Sequence, residues 1–563
     1  MIDFRDSMLE YLKLEKQYCE EDIKDHQNLS NEEKEEAGYI ILNAIIEYHK
    51  GCEYSFHVDV NNTKLRPGDK VIVSSDSSRN KFEGTIIENG FENVSMYLSN
   101  NLSENEKYNI EISEKVMLDS LINLLSKIQN GAPGERYLEI LVNLATPKKV
   151  GIGALEYNQV MHFFPEQMYD TQETIYKKAI KRPSIYCIQG PPGTGKTDVL
   201  SNLATAYSSN NYEVLIISNT HQAVNNALNK VAEKTDTSNI VKIGEELKAT
   251  ELADSIIRAK TFKEYKSIRK KIKLKNSGDI VGMTLCAAII NLGLQHSGFQ
   301  PTIVLVDEAG QMPLVQAVAI GTFGSGSVIF IGDDKQMPPI YHEKLAGDPL
   351  SVSIFSHLCD LYPEMKDRLN VTFRMNEEIT KVVSKEFYEQ DGVPLIASDI
   401  SKNRILKLIN VETDNPKIKH ILESEDSIIH VNPTNDNTFE DMNTDEAAFV
   451  AELISTACKN GMNSQNMAVI TPYRRQVKAI REYVRKEMVT DEMPLIDTVE
   501  RLQGQDVDMI IISFCVSSAS YFQANRSFLL NSNRLNVMIS RAKKKVVFVA
   551  SDVVFPYIRC FVN

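Results

Sequence analysis

The eight residues Gly190-Pro191-Pro192-Gly193-Thr194-Gly195-Lys196-Thr197 decide the fold of this chain. They follow an apolar run at 185–188 and precede a helix-forming segment at 198–207, the strand–loop–helix setting of a phosphate-binding loop. Glycines let backbone N–H groups curl around a polyphosphate, and the helix N-terminus adds partial positive charge. In that arrangement Lys196 reaches the β- and γ-phosphates and the Thr197 hydroxyl meets Mg²⁺. The stretch predicts a nucleoside triphosphate site.

Outward from this loop, β-branched runs alternate with helical stretches. Runs at 185–188, 214–218, 280–283, 303–306 and 328–331 predict a parallel α/β sheet covered on both faces. Between the second and third, the Lys- and Glu-rich stretch 230–275 reads as a helical insertion. A second series at 428–431, 467–470, 496–499, 509–514 and 546–550 predicts another α/β unit. Upstream, 1–50 is charged, free of Pro, and reads as helix. From about 54 short strands begin, with turns at Leu65-Arg66-Pro67-Gly68-Asp69 and Asn89-Gly90, and these predict a small β-barrel. A further helix is expected at 113–129, before Gly131-Ala132-Pro133-Gly134. The expected division is stalk helices at 1–53, barrel at 54–112, a second stalk helix and linker at 113–145, and α/β domains at 146–345 and 346–563.

The 563 residues exceed the ~250–300 that one core supports. Hydrophobic content of 42% with 25% charged residues is that of an ordinary globular chain. A formal net charge of -14 excludes a surface that coats polyanions indiscriminately, so any such site must be a local basic channel. Eight dispersed cysteines, without a C-x-x-C pair, argue against zinc and against a disulfide framework. The N-terminus has no apolar signal core, and the longest apolar run, near 281–294, is too short to span a bilayer. A cytoplasmic enzyme, with neither membrane nor zinc, is expected.

Two further motifs carry nucleotide chemistry. Val304-Leu305-Val306-Asp307-Glu308-Ala309-Gly310-Gln311 ends a strand in two carboxylates, Asp307 to hold Mg²⁺ and Glu308 to orient or deprotonate the attacking water. Phe330-Ile331-Gly332-Asp333-Asp334-Lys335-Gln336-Met337-Pro338-Pro339 ends the next strand, where Gln336 can sit beside a γ-phosphate. Alone, either motif also reads as a solvated strand end or a surface turn.

The order of these motifs, followed by Arg534-Leu535-Asn536-Val537-Met538-Ile539-Ser540-Arg541-Ala542-Lys543, resembles a superfamily 1 helicase. The GDxxQxPP form and Leu502-Gln503-Gly504-Gln505-Asp506 resemble its B branch, home of the nonsense-mediated-decay RNA helicase, the immunoglobulin-mu-binding helicase and the nuclease-helicase of Okazaki-fragment processing. The likeness covers roughly 165–555, with a looser match of the N-terminal helix–barrel–helix to the family's stalk and barrel. It implies two tandem RecA-like parallel-sheet domains with a helical stalk and a small β-barrel insertion.

Site residues follow from the resemblance position by position. Gln172 matches the glutamine that reads adenine, although such a residue is also an ordinary polar helix residue. Leu369-Asn370-Val371-Thr372-Phe373-Arg374-Met375 matches the family's Gln-Tyr-Arg-Met segment, with Thr372 in place of Gln and Phe373 in place of Tyr. Phe373 would stack on the nucleotide. Arg374 and Arg541 would supply cations for developing phosphoryl charge, a role worth ~10³–10⁵ in rate; each alone also reads as an interface ion pair. Gly504 and Asp506 match the motif linking nucleotide and strand, with Asp506 where the family usually has Glu. Thr220, His221, Asn225, Thr284, Pro338, Tyr473 and Thr498 match contacts to a nucleic-acid strand. Thr220 reads equally as a helix cap and Tyr473 as an interior ring.

The implied activity is an ATP- and Mg²⁺-dependent translocase or helicase on single-stranded nucleic acid, moving 5′→3′, with DNA favoured over RNA. A separate nuclease or effector protein is a possible partner. The alternatives are an ATP-driven clamp that remodels protein–nucleic-acid complexes with little unwinding, and a nucleotide-state switch acting on protein partners.

Overall fold

The computed structural model describes the chain except residues 1, 28, 59–60, 62, 64, 66–68, 76–79, 90–92, 99, 115, 128–134, 142, 144, 236–238, 245–251, 272–277, 291–298, 390–391, 437, 489–492, 501–505 and 563. The chain opens with helices Ile2–Gln27 and Asn31–Ala37. The second is held by a capping box between Ser30 and Glu33 and stopped by Gly38 at φ 80. Met8, Tyr11 and Leu12 of the first helix join Leu118, Leu121 and Leu125 of helix Val116–Lys127 in the core of the first α/β domain. The stalk is thereby fastened to that domain.

Six antiparallel strands close a barrel: β1 (Ile40–Lys50), β2 (Glu53–His57), β3 (Lys70–Ser75), β4 (Lys81–Asn89), β5 (Asn93–Leu98) and β6 (Lys107–Glu114), in the order β1-β2-β5-β4-β3-β6. Alternate residues point inward, among them Tyr54, Phe56, Val71, Val73, Val94, Met96 and Tyr108. One expectation fails here. The stretch 40–50 was expected to be helical, yet it is the barrel's first strand. The run Ile40-Ile41-Leu42 and the pair Ile45-Ile46 favour a pleated, half-buried surface over a helix.

The first parallel sheet has eight strands: β7 (Ile185–Gln189), β8 (Val214–Ser218), β9 (Ile240–Ile243), β10 (Ile257–Ala259), β11 (Ile280–Thr284), β12 (Ile303–Val306), β13 (Val328–Gly332) and β14 (Lys366–Arg368). Their order is β10-β9-β11-β8-β12-β13-β7-β14. Both faces are covered: Ile185 and Cys187 of β7 enter one core, Tyr186 and Ile188 the other. The stretch 230–275 departs from a purely helical insertion. Its apolar run Ile240-Val241-Lys242-Ile243 adds β9 to the sheet, β10 follows, and among its later described residues only Phe262–Lys271 is α-helical. The sheet also takes β14 from beyond the expected boundary at 345/346.

A two-stranded sheet pairs β15 (Val371–Thr372) with β16 (Ile396–Ala397). The second large parallel sheet contains β17 (Ile428–Val431), β18 (Met467–Ile470), β19 (Leu495–Asp497), β20 (Val507–Ser513) and β21 (Ala542–Val549), ordered β17-β21-β20-β18-β19. Its faces also divide between two cores, Ile510 on one and Ile511 on the other. The architecture is α/β: two RecA-like domains, a helical stalk and a small barrel. Among the described residues, no helix is long and apolar enough to cross a membrane.

Candidate nucleotide cleft

The cleft begins where β7 ends. Gly193 and Gly195 adopt φ 73 and 80, a left-handed backbone open to glycine without penalty, and helix Lys196–Ser209 starts directly after them. The Gly190 N–H donates to the Gly332 carbonyl at 2.9 Å, tying the loop to β13. Lys196 Nζ donates to the Gly190 carbonyl at 2.9 Å, and a Cβ at Gly190 would overlap the Lys196 side chain.

The loop tip meets the second domain. The Phe373 N–H donates to the Gly193 carbonyl at 2.8 Å, and Thr372 Oγ1 to the Pro192 carbonyl at 2.9 Å. A Cβ at Gly193 would lie 2.5 Å from Arg374 Cβ. Arg374 Nη1 donates to the Ser540 carbonyl at 3.1 Å, next in sequence to Arg541. The two arginines and the phosphate loop thus share one connected structure.

The cleft measures about 1420 Å³. From the first domain it is lined by Gln172, Pro191, Pro192, Gly193, Thr194, Gly195, Lys196, Thr197, Asp307, Glu308 and Gln336; from the second, by Phe373, Arg374, Asp506 and Arg541. Gly190 lies behind Lys196, and Gly504 falls outside the described residues.

Electrostatics set the character of this space. Burial, then the neighbouring Glu308 charge, raises the Asp307 carboxyl to about 7, while Lys196 opposes the shift. The Glu308 N–H donates to Asp307 Oδ1 at 3.0 Å. Glu308 itself sits at φ 52, a conformation that costs a non-glycine residue ~1–3 kcal/mol and clusters at working sites. Opposite, burial lowers Arg374, with Asp506 and Glu308 opposing. Burial also lowers Arg541, to about 10, reinforced by the adjacent Arg374 charge. Burial works to raise Asp506, but its bond to Lys543 at 2.8 Å and the charges of Arg374 and Arg541 outweigh it and leave the carboxyl below its ordinary value. Two cations face two carboxylates across the seam between the domains.

Several side chains are engaged otherwise than the sequence alone indicates. Gln172 Oε1 accepts the Tyr169 N–H at 3.3 Å at the start of helix Asp170–Ala179. Phe373 meets the Tyr169 ring edge-on at 6.2 Å. Gln336 Nε2 donates to Asp333 Oδ2 at 2.7 Å. Residues missed by sequence reasoning also line this space, among them Gln167, Arg404 and Lys543. Gln167 is an exposed glutamine a few residues beyond His162 and Phe163, which also line the cleft; Arg404 donates to the carbonyls of Phe373 at 3.1 Å and Arg374 at 2.8 Å; and Lys543 pairs with Asp506. Lys543 lay inside a recognised motif; Arg404 lies in a loop without any local pattern.

The expected strand contacts gather at the carboxyl ends of parallel strands, where α/β sheets present ligands. Thr220 and His221 follow β8, Thr284 ends β11, Pro338 follows β13, Tyr473 follows β18 and Thr498 follows β19. Thr220 Oγ1 caps helix His221–Ala232 by accepting the Ala223 N–H at 3.2 Å, and Thr284 Oγ1 accepts the Ala287 N–H at 3.2 Å. Asn225 is buried, Tyr473 packs against the second core, and Pro338 is exposed.

Two family models, both described as AAA domain, match residues 167–352 and 350–553. The DNA replication ATP-dependent helicase/nuclease JHS1 of Arabidopsis thaliana is 26% identical over 518 residues, covering 87% of this chain and 37% of that protein. The DNA replication ATP-dependent helicase/nuclease DNA2 of Homo sapiens is 26% identical over 604 residues, covering 98% of this chain and 54% of that protein. This chain therefore spans about half or less of the length of these relatives. Among solved structures, an Arterivirus nonstructural protein 10 (helicase) aligns with a TM-score of 0.39 and 12% identity over 90% of this chain and 79% of that one.

Proposed function

We propose that this chain, which belongs to the superfamily 1B helicases, couples ATP hydrolysis in the cleft to movement along single-stranded nucleic acid. The observation that carries the reading is the convergence of Lys196 and Glu308 from one domain with Arg374 and Arg541 from the other on a single cleft. A site divided in this way is complete only when the domains are together, so the state of the phosphates biases their separation.

In this reading, backbone N–H groups of the 190–195 loop and Lys196 hold the β- and γ-phosphates, and Glu308 orients the attacking water. Arg374 and Arg541 neutralise charge developing on the transferred phosphoryl group. The hard oxygen donors Thr197 and Asp307, the latter beside a Lys196 that favours its ionised form, suit Mg²⁺. When bound, that ion would supply positive charge to offset that of the triphosphate. Gln336, released from Asp333, reaches for the γ-phosphate. Gln167 and Gln172 together lie where a base edge would be read.

The strand is read as lying across the carboxyl ends of both sheets, touching Thr220, His221, Asn225, Thr284, Pro338, Tyr473 and Thr498. DNA is the favoured polymer, supported by the Arabidopsis and human relatives being DNA replication helicase/nucleases, and 5′→3′ is the direction implied by the family. ATP turnover with and without single-stranded DNA or RNA, followed by displacement on tailed duplexes, tests the proposal. Stimulation with displacement supports it; stimulation without displacement favours a clamp; turnover indifferent to either polymer removes it.

A further inference from the structure

Asp333, just beyond β13, is 3% exposed, and one of its carboxylate oxygens is shared between the two domains. Oδ2 accepts from Gln336 Nε2 at 2.7 Å and from the Tyr388 hydroxyl at 2.6 Å. Gln336 lines the cleft; Tyr388 belongs to the second domain and is wholly buried. The Tyr388 oxygen in turn accepts from Asn536 Nδ2 at 2.8 Å, and the same amide donates to the Lys335 carbonyl at 2.7 Å. Asn536 stands on helix Ser532–Ile539, which runs directly into Ser540 and Arg541. Asn533, one turn earlier, donates to the Asp334 carbonyl at 3.2 Å and also to that of Gln336.

The local backbone is unusual where this chain of bonds crosses the seam. Helix Glu377–Val383 does not continue as an α-helix but widens into a π-helical turn, Ser384–Tyr388. Such single turns are rare and concentrate at functional positions. This one ends on the tyrosine that reaches Asp333. Arg368, on β14, braces the turn by donating to the Tyr388 carbonyl at 3.1 Å.

We infer that Tyr388 is a positioning residue that transmits the placement of Gln336 to the helix bearing Arg541, through the shared oxygen of Asp333. The inference rests on the reading of the cleft as an ATP-hydrolysing site. A carboxylate oxygen shared by two donors binds each less well than it would bind one alone. When the Gln336 amide turns toward a γ-phosphate, the Tyr388 hydroxyl holds Oδ2 without that competitor and the bond across the seam tightens. Asn536 and Arg541 are then fixed against the first domain while the phosphate is intact. When the phosphate leaves, Gln336 returns to Asp333 and the bond relaxes. Burial, together with the Asp333 charge, pushes the Tyr388 phenol well above its usual value, so it remains a donor throughout.

Tyr388→Phe keeps the ring in its pocket and removes only the hydroxyl. The variant is expected to keep KM for ATP within about twofold while strand-stimulated kcat falls roughly tenfold, the split of an interaction made chiefly on the way to the transition state. Gln336→Ala lowers kcat by its own route. The double variant Tyr388→Phe/Gln336→Ala is expected to lose clearly less than the product of the two single losses, because the two side chains compete for one oxygen. Asn536→Ala, which withdraws the donor behind Tyr388, gives a second reading should Tyr388→Phe fail to fold, and is expected to lower kcat about threefold with KM unchanged. Additive losses in the double variant, or wild-type kcat in Tyr388→Phe, overturn the inference. A wild-type protein without ATP turnover overturns the parent reading as well, so the two failures are distinct.

Discussion

Thr372 Oγ1 donates to the Pro192 carbonyl at 2.9 Å, so a second-domain hydroxyl is bonded directly to the backbone of the phosphate loop. The family's usual residue here is glutamine, and the space explains why this chain differs. Thr372 is fully buried, and its Oγ1 would lie 2.6 Å from a Cβ at Gly193. A short hydroxyl fits where a long amide would press on the loop. Thr372→Val preserves shape and is expected to cost about 1 kcal/mol, with ATP turnover down a few-fold. Thr372→Gln is expected to be worse than Thr372→Val through overpacking. Steady-state ATPase kinetics on the pair check the order; a Gln variant as active as wild type would contradict it.

Gly193 offers a sharper test of the same seam. Its φ of 73 already disfavours a side chain, by about 1–2 kcal/mol, and a Cβ would meet both Arg374 Cβ and Thr372 Oγ1. Gly193→Ala is expected to push the domains apart and reduce turnover at least tenfold, about 1.4 kcal/mol or more in the barrier. Gly392, at φ 81 with open space around it, is the control. Gly392→Ala meets the same backbone penalty without the steric one, and turnover is expected to stay near wild type.

Why some of this was legible in the sequence, and some not, follows from the range of the interactions. The phosphate loop, the Asp307-Glu308 pair and the run of β-branched strands are local patterns, set by backbone sterics and period, and the two parallel sheets follow from them. The strand at Ile40–Lys50 was misread because charged residues flank its apolar core, and its pairing partners, such as Tyr108 and Ile110, lie far along the chain. The insertion hid β9 for the same reason: a four-residue strand in a Lys-rich stretch becomes recognisable only beside β11. Arg404 and Tyr388 matter through contacts with residues 30 and 55 positions away, and no spacing rule finds those.

Glu446 predicts how the second domain responds to pH. Its carboxyl is buried, accepting from Ser513 Oγ at 2.7 Å and from the Cys515 N–H at 3.0 Å, and burial raises it to about 8. Unfolded, the same group titrates near ~4.3. Between those values the folded state holds the proton that the unfolded state has lost, so this group makes stability fall as pH rises, by at most about 1.4 kcal/mol per unit. Glu446→Gln is expected to flatten that slope. Denaturant unfolding at pH 5, 6, 7 and 8 measures it; identical slopes in wild type and variant would mean that the glutamate is not protonated in the fold.

Lys196 and Glu308 should separate binding from chemistry. Lys196→Ala removes a side chain whose amine lies against the phosphate loop, so nucleotide affinity and turnover are both expected to collapse. Glu308→Gln keeps shape and the bond from Gln311 Nε2, 3.3 Å away, to the retained side-chain oxygen, while losing the charge that would activate water. It is expected to bind ATP at least as well as wild type and to turn over roughly 10²–10⁴-fold more slowly. Since Glu308 also raises its buried neighbour Asp307, removing its charge should ease ionisation of Asp307, so loss of nucleotide binding is not the expected phenotype. Fluorescent-nucleotide binding beside phosphate release distinguishes the two. If Glu308→Gln hydrolysed ATP at the wild-type rate, the catalytic carboxylate would have to be sought elsewhere in the cleft.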